Sequence, residues 1–91
     1  MFKLTDSLGV VFETNYELSN ENISIKDNEK YIFTMCNTNN CGDITAELFL
    51  NDKLCKRIDI LEDKVGKVDF TTGIADIITV RVYPKYILPT L

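Results

Sequence analysis

Three cysteines carry the most reactive side chains in this sequence. Cys36 and Cys41 bracket the segment "CNTNNC", and Cys55 stands apart from them. A structural zinc site needs four Cys or His ligands, commonly as two close pairs, and this chain has three cysteines and no histidine. A cysteine nucleophile usually depends on a neighbouring imidazole, which the chain does not supply. We therefore expect neither a metal site nor a catalytic cysteine.

A disulfide between Cys36 and Cys41 remains an alternative, because it would close the loop between two apolar segments. The odd number of cysteines, together with the lack of a visible secretion signal in "MFKLTDSLGV", favours reduced thiols instead. Cys36 and Cys55 are then expected to act as small apolar side chains within strands. Cys41, beside Gly42, is expected to close the loop.

Acidic side chains near the predicted turns are the second group that could bind or react. Calcium takes about six to eight oxygen ligands, and the sequence has no Asp-x-Asp-x-Asp-Gly pattern. A carboxylate pair can also hydrolyse glycosides, but a chain of 91 residues leaves little room for a substrate cleft. We expect solvated turns, no cofactor and no enzymatic activity. The acidic residues concerned are Asp43, Asp52, Asp59, Glu62, Asp63 and Asp76.

Exposed aromatic rings are the means by which small β-sandwiches stack against sugars. This chain has no tryptophan, which leaves Tyr16, Tyr83 and Tyr86 as the candidates. Each of these rings could equally lie half-buried at the edge of a sheet. A carbohydrate-binding module is therefore an alternative function.

The C-terminal segment "VYPKYILPTL" combines two prolines with several apolar side chains. Pro84 and Pro89 exclude a helix and the continuation of a central strand. Apolar side chains are unlike those of a solvated tail, so we predict that residues 84–91 form an extended tail. This tail packs on its own domain or reaches a neighbouring subunit. The predicted partner contacts are Tyr83, Tyr86, Ile87, Leu88 and Leu91.

The cysteines, acidic residues and tyrosines must be positioned by secondary structure. The alternation of apolar and polar residues predicts that this structure consists of strands rather than helices. The segment "KYIFTMC" is apolar on both faces, with Ile32 and Thr34 on the second face, which predicts a central strand covered on both sides. The predicted inward-facing sets are Tyr31, Phe33 and Met35; Ile44, Ala46, Leu48 and Leu50; Leu54, Ile58 and Ile60; Val68 and Phe70; and Ile78, Val80 and Val82.

The N-terminal third adds the shorter candidate strands "FKL", "GVVFET", "YELS" and "NISIK". The total of seven or eight short, mostly antiparallel strands predicts an all-β protein, a small β-sandwich of immunoglobulin-like or jelly-roll-like type. We treat residues 1–91 as a single domain, because the sequence shows no linker, repeat or low-complexity tract. The segment "ELFLNDKLCKRIDI" resembles the strand–turn–strand unit of many such modules, which implies nothing about function.

The turn at Asn51 and Asp52 sets the register of this hairpin. A strict two-residue turn would place Leu48 opposite Cys55, whereas a three-residue connection that includes Lys53 places Leu50 opposite Leu54 and Ala46 opposite Ile58. Directly opposed residues share a face of the sheet. We therefore expect the three-residue connection, with a bulge as a further option.

The formal net charge of −4 disfavours a dedicated nucleic-acid binder. Abundant Asn, Ile, Lys and Asp are typical of AT-rich genomes, including those of many bacteria and their phages. We expect a non-enzymatic protein–protein interaction module, such as a small accessory or structural component of a phage virion, acting on other subunits or on itself as a homo-oligomer. A mobile-element inhibitor of a host nucleic-acid enzyme or defence protein is the alternative. The expected location is the cytoplasm or the virion, with no membrane span.

Overall fold

Eight strands make up the sandwich in the computed structural model, which describes residues 1–15, 20–38 and 42–85. They are β1 (Phe2–Asp6), β2 (Gly9–Thr14), β3 (Asn20–Ser24), β4 (Lys30–Cys36), β5 (Ile44–Leu50), β6 (Lys53–Ile60), β7 (Val65–Thr71) and β8 (Ile77–Pro84). The first sheet has the order β2–β1–β4–β7 and the second the order β3–β8–β5–β6. This architecture confirms the predicted all-β sandwich. The residues described include no helix able to cross a membrane.

The strand pairing follows the winding of a jelly roll. β5 pairs with β6, β4 with β7 and β3 with β8, all antiparallel. The chain therefore pairs like one long hairpin whose tip is the turn at Asn51 and Asp52. Successive pairs alternate between the two sheets, which rolls this hairpin into a sandwich. β1 completes the first sheet by lying between β2 and β4.

The hydrophobic core fills the space between the two sheets. Every second residue of each strand points inward, as a pleated strand requires. Most of the predicted inward-facing sets are buried here, which confirms the alternation in β4, β5, β7 and β8. The buried cluster comprises Phe2, Leu4, Ile23, Tyr31, Phe33, Met35, Ile44, Ala46, Leu48, Ile60, Phe70, Ile78, Val80 and Val82.

The β5–β6 hairpin differs from its predicted register near the turn. The turn has two residues, Asn51 and Asp52, both with positive φ, and Leu54 pairs with Phe49 rather than with Leu50. A bulge at Cys55 then shifts the register, so that Ala46 faces Ile58 as predicted. Because of this bulge, Leu54 points outward and is 54% exposed. The expectation that Leu54 faces the core is therefore wrong.

β4 is a central strand, as predicted, because it lies between β1 and β7. Its inner side chains are buried, but Ile32 and Thr34 on the outer side are partly exposed. No second layer covers this outer side in the residues that the structure describes. The prediction of cover on both sides is wrong, since an antiparallel sheet needs only one buried face.

The two sheets approach each other most closely where β6 meets β7. A Cβ atom built on Gly66 would lie 2.5 Å from Cγ1 of Ile60 and 2.9 Å from its Cδ1. Ile60 is buried, so an added methyl group would have to displace its side chain within a packed core. Glycine at position 66 therefore lets this edge of the sandwich close.

Several sequence predictions fall on residues outside the described part of the chain. The candidate strand "YELS" occupies positions 16–19, and Cys41 belongs to the segment 39–41. Of the predicted tail, Pro84 is the last residue of β8. The tail contacts Tyr86, Ile87, Leu88 and Leu91 lie beyond the described residues, as does Tyr16.

Candidate functional site

The cysteines occupy structural positions in the part of the chain that the structure describes. Cys36 ends β4 and Cys55 forms the β6 bulge, and both are free thiols with partial exposure. Cys55 also packs against the edge of the core. The packing of Cys55 agrees with the expectation that it serves as a small apolar side chain, whereas for Cys36 that role stays a prediction.

Asn37 anchors the loop that follows Cys36. Its side chain is buried, and its Nδ2 donates 2.9 Å hydrogen bonds to the carbonyl oxygens of Gly42 and Ile60. Its backbone also pairs with Lys64 and Asp63. The loop is therefore held by one amide group that joins the end of β4 to the end of β6. The sequence analysis missed this role, because an asparagine in an Asn-rich loop has no distinguishing pattern.

Two acidic side chains near the turns accept hydrogen bonds from the backbone of neighbouring segments. Asp43 accepts a 3.0 Å bond from the backbone of Glu62, and Asp27 accepts one from Ala75. Across the described ranges, no group of three or more Cys, Asp or Glu side chains is placed to hold a metal ion.

The outer face of the second sheet carries the most distinctive surface chemistry of the molecule. Inward placement of Ile78, Val80 and Val82 leaves the alternate residues of β8 pointing outward. The same alternation applies to β5, and on β6 it holds on each side of the bulge. We call this surface the arginine face. It consists of Asn22, Glu47, Phe49, Leu54, Arg57, Ile77, Thr79, Arg81 and Tyr83.

Both arginines of the chain lie on this face, in one row across three strands. In the strand register, Glu47 on β5 lies directly opposite Arg57 on β6 and opposite Arg81 on β8. Neither guanidinium has a carboxylate within ion-pairing distance among the residues described. Instead, the guanidinium of Arg81 lies over the ring of Phe49, 5.9 Å from its centroid. The row therefore has two cations and one anion, and the ring of Phe49 in the next row lies beneath one of the cations.

Two adjoining hollows mark the arginine face near the β5–β6 turn. The larger has a volume of about 260 Å³ and is lined by Asn22, Asn51, Asp52, Ile77 and Thr79. The smaller, of about 200 Å³, is lined by Phe49, Asp52, Thr79 and Arg81. Because Asp52 and Thr79 line both, the hollows form one shallow groove across the strands.

Hydrogen bonds hold the walls of this groove in place. Oδ1 of Asn51 accepts 3.2 Å bonds from the backbone N–H groups of Asp76 and Ile77, which ties the hairpin tip to the start of β8. The hydroxyl of Thr79 donates a 2.8 Å bond to Oδ1 of Asn22 on β3. The groove is therefore preformed by contacts between three strands.

The electrostatics of the face vary from one end to the other. Loss of hydration raises the pKa of Tyr83, and the neighbouring Glu47 carboxylate raises it further as a hydrogen-bond acceptor and a negative charge. A hydrogen bond from Thr45 lowers the pKa of Asp59, with a further contribution from Lys85. Lys85 also forms a 3.3 Å ion pair with Asp59. The carboxylates beside the arginines are therefore already engaged by neighbouring groups.

The outer face of the first sheet provides a contrast. Its central row runs through Glu13, Lys3, Thr34 and Lys67, and the described residues place no aromatic ring on it. Lys30 is paired with Asp69 at 3.3 Å, between two well-exposed side chains. This face also carries the exposed side chains of Val10 and Val65, but it has no arginine and, among the described residues, no aromatic ring.

Of the predicted partner contacts, the structure describes Tyr83, which lies on the arginine face. Arg57, Arg81 and Phe49 belong to the same face but were not predicted as contacts. The outward position of Arg81 follows from the alternation in "ITVRVY". The aromatic residue at the outward-facing position 49 could have indicated a contact surface on this side of the sheet. The proximity of Arg57 to Arg81 depends on strand order.

Comparison of the chain with models of protein families, with curated proteins and with solved structures found no match. The interpretation of the arginine face therefore rests on its own chemistry.

Proposed function

We propose that this protein is a non-enzymatic interaction module that binds a protein partner on the arginine face. The observation that carries the proposal is the grouping of Arg57, Arg81, Phe49 and Tyr83 on one side of the sandwich. Arginine and aromatic residues are enriched at the centres of protein interfaces and supply most of their binding energy. The other outer face lacks this grouping.

The rigidity of the surface favours the same function. Most groove residues lie on strands whose inner side chains are packed in the core, and Asn51 of the turn is hydrogen-bonded to the start of β8, so little ordering is needed when a partner binds. Leu54 and Ile77, at 54% and 44% exposure, add apolar area beside the groove. A small accessory or structural component of a larger assembly, such as a phage particle, is the setting that we propose for such a module.

Site-specific photocrosslinking in cells that naturally make the protein tests this proposal. A photoreactive amino acid at Leu54 is expected to capture a defined partner, and one at Thr34 on the opposite face is expected not to do so. With the captured partner purified, Arg81→Ala or Phe49→Ala should weaken binding at least about tenfold. The matched variant Lys67→Ala should leave the affinity unchanged. Equal capture from both faces would contradict the proposal.

Sugar binding is a second candidate function, and the larger hollow is the observation that favours it. Asn22, Asp52 and Thr79 offer planar amide, carboxylate and hydroxyl groups, and Phe49 provides an apolar ring nearby. Small-ligand sites commonly combine such polar groups with an apolar wall. A glycan array probed with the wild-type protein and with Asp52→Ala distinguishes this candidate. Specific hits that the substitution abolishes would support it, and an empty array would exclude it.

A further inference from the structure

We infer that the partner of the arginine face is an acidic protein segment that presents two carboxylates beside an apolar side chain. This inference rests on the function proposed above and adds the chemistry of the partner. Three features of the face lead to it: an excess of positive charge in the Arg81–Glu47–Arg57 row, the spacing of the two guanidiniums, and an apolar strip beside them.

The charge excess comes from the row that crosses β8, β5 and β6. It holds two guanidiniums, which stay protonated at any physiological pH, and the single carboxylate of Glu47. That carboxylate faces the phenol of Tyr83. Asp59, further along the face, is paired with Lys85. Asp52 lies near Arg81 and Asp59 interacts with Arg57, so the positive excess is confined to the row itself. This local excess, on a chain whose net charge is −4, favours an anionic partner.

The separation of Arg57 and Arg81 across the sheet favours two anionic groups over one. Arg57 and Arg81 stand on either side of Glu47 in register, which separates their backbones by two strand spacings, roughly 10 Å. A single carboxylate placed midway would meet the like charge of Glu47. Two carboxylates that flank Glu47 lie further from it, which reduces this repulsion, and each can form a bidentate pair with one guanidinium.

The apolar strip lies in the next row of the sheet. Phe49 pairs directly with Leu54, and the exposed part of Leu54 continues the surface of the ring. An apolar side chain of the partner is expected to cover this strip when the two carboxylates are engaged. In an extended partner segment, side chains on one face are about 7 Å apart. Successive side chains on that face can therefore reach the arginine row and the apolar strip in turn.

A nucleic acid is a less suitable occupant of this surface. Its phosphates form a continuous chain of negative charge, and the arginine face also carries Glu47, with Asp52 at its edge. These carboxylates would repel part of any phosphate chain. A short protein segment can place its two acidic groups at the arginines and keep the remaining positions neutral.

The test uses the full chain and two synthetic peptides. In the first peptide, two glutamates and two leucines occupy alternate positions with serine between them, and the second peptide has glutamine in place of glutamate. Because the chain contains only two arginines, the side-chain Nε–Hε signals in a nitrogen-15 NMR spectrum report on Arg57 and Arg81 directly. The acidic peptide is expected to shift both signals, with an affinity that falls as salt rises. The glutamine peptide is expected to shift neither.

Paired substitutions locate the binding. The double variant Arg57→Gln/Arg81→Gln should bind the acidic peptide about tenfold more weakly. The matched variant Lys3→Gln/Lys67→Gln, which changes the charge of the other face equally, should bind it as the wild-type protein does. Circular dichroism establishes that each variant is folded.

Three outcomes would overturn the inference: equal binding of the two peptides, no shift of either arginine signal up to about 1 mM acidic peptide, or stronger binding of a single-stranded oligonucleotide at the same residues. Failure of the inference is distinguishable from failure of the proposed function. A partner that crosslinks at Leu54 through a neutral or basic segment would leave the function standing and remove the acidic preference.

Discussion

The hydroxyl of Thr45 donates a 2.8 Å hydrogen bond to Oδ1 of Asp59, its directly opposed neighbour on β6. Thr45 is buried although its side chain belongs to the outer face, and its partner Asp59 also forms an ion pair with Lys85. This cross-strand contact lowers the pKa of the Asp59 carboxyl. The ionised form of Asp59, beside the arginine face, is therefore stabilised by the pairing of β5 with β6.

Replacement of Thr45 by Val is expected to raise the pKa of Asp59 towards its ordinary value, because the hydroxyl is the largest of the stabilising contacts. A lowered folded-state pKa adds stability above the ordinary carboxyl pKa, and this stability disappears as the pH falls through the folded value. Thr45→Val should therefore lose less stability on acidification. Carbon-13 NMR titration of the Asp59 carboxyl measures the shift. Thr79→Val, which removes another hydroxyl from the same face, should leave it unchanged.

Loss of hydration is the main cause of the raised pKa of Tyr83, and the carboxylate of Glu47 is expected to add to it. Glu47→Gln removes a negative charge beside the phenol, so the raised pKa of Tyr83 should move down towards 10.0, its ordinary value. A raised phenol pKa adds stability that is present at neutral pH and is lost as the pH rises through the folded value. Carbon-13 NMR of the tyrosine Cζ atom follows the titration. An identical pKa in Glu47→Gln and in Glu13→Gln, on the opposite face, would contradict this assignment.

The two turn residues of the β5–β6 hairpin should respond differently to glycine. Asn51 and Asp52 have φ angles of 46° and 70°, a left-handed region that glycine adopts without strain. Asp52→Gly should leave stability unchanged or raise it by up to about 1 kcal/mol. Asn51→Gly should lower it by about 1–3 kcal/mol, because two backbone N–H groups lose their acceptor. Urea unfolding of both variants measures this difference, and equal effects would show that the Asn51 side chain contributes nothing.

Gly66→Ala should destabilise the protein by about 1–3 kcal/mol, because the added methyl group overlaps the buried side chain of Ile60. This loss of stability arises from the close contact between β6 and β7 at position 66. Lys67→Ala on the same strand, whose side chain faces outward, should therefore change stability by no more than about 0.5 kcal/mol. Thermal and urea unfolding provide the measurement. If Gly66→Ala unfolds at the same urea midpoint as the wild-type protein, the two sheets adjust freely at this edge.

The strands and their inner faces could be predicted from the sequence because the two-residue period of a strand is a local property. In β8, the inward placement of Ile78, Val80 and Val82 follows from alternation alone, and so does the outward placement of Arg81. The same reasoning failed at Leu54. There a bulge at Cys55, formed by pairing with β5, reversed the direction of the side chain.

Local alternation thus identified an all-β chain, the sides of most strands and the outward position of Tyr83. The tertiary structure alone decided the jelly-roll winding, the fit of Gly66 against Ile60 and the meeting of both arginines at Glu47. β8 follows β5 by more than two dozen residues, and its choice of neighbour depends on how two sheets bury their apolar sides together. A two-residue repeat specifies which way a side chain points, but only the packed sandwich specifies which other side chain stands beside it.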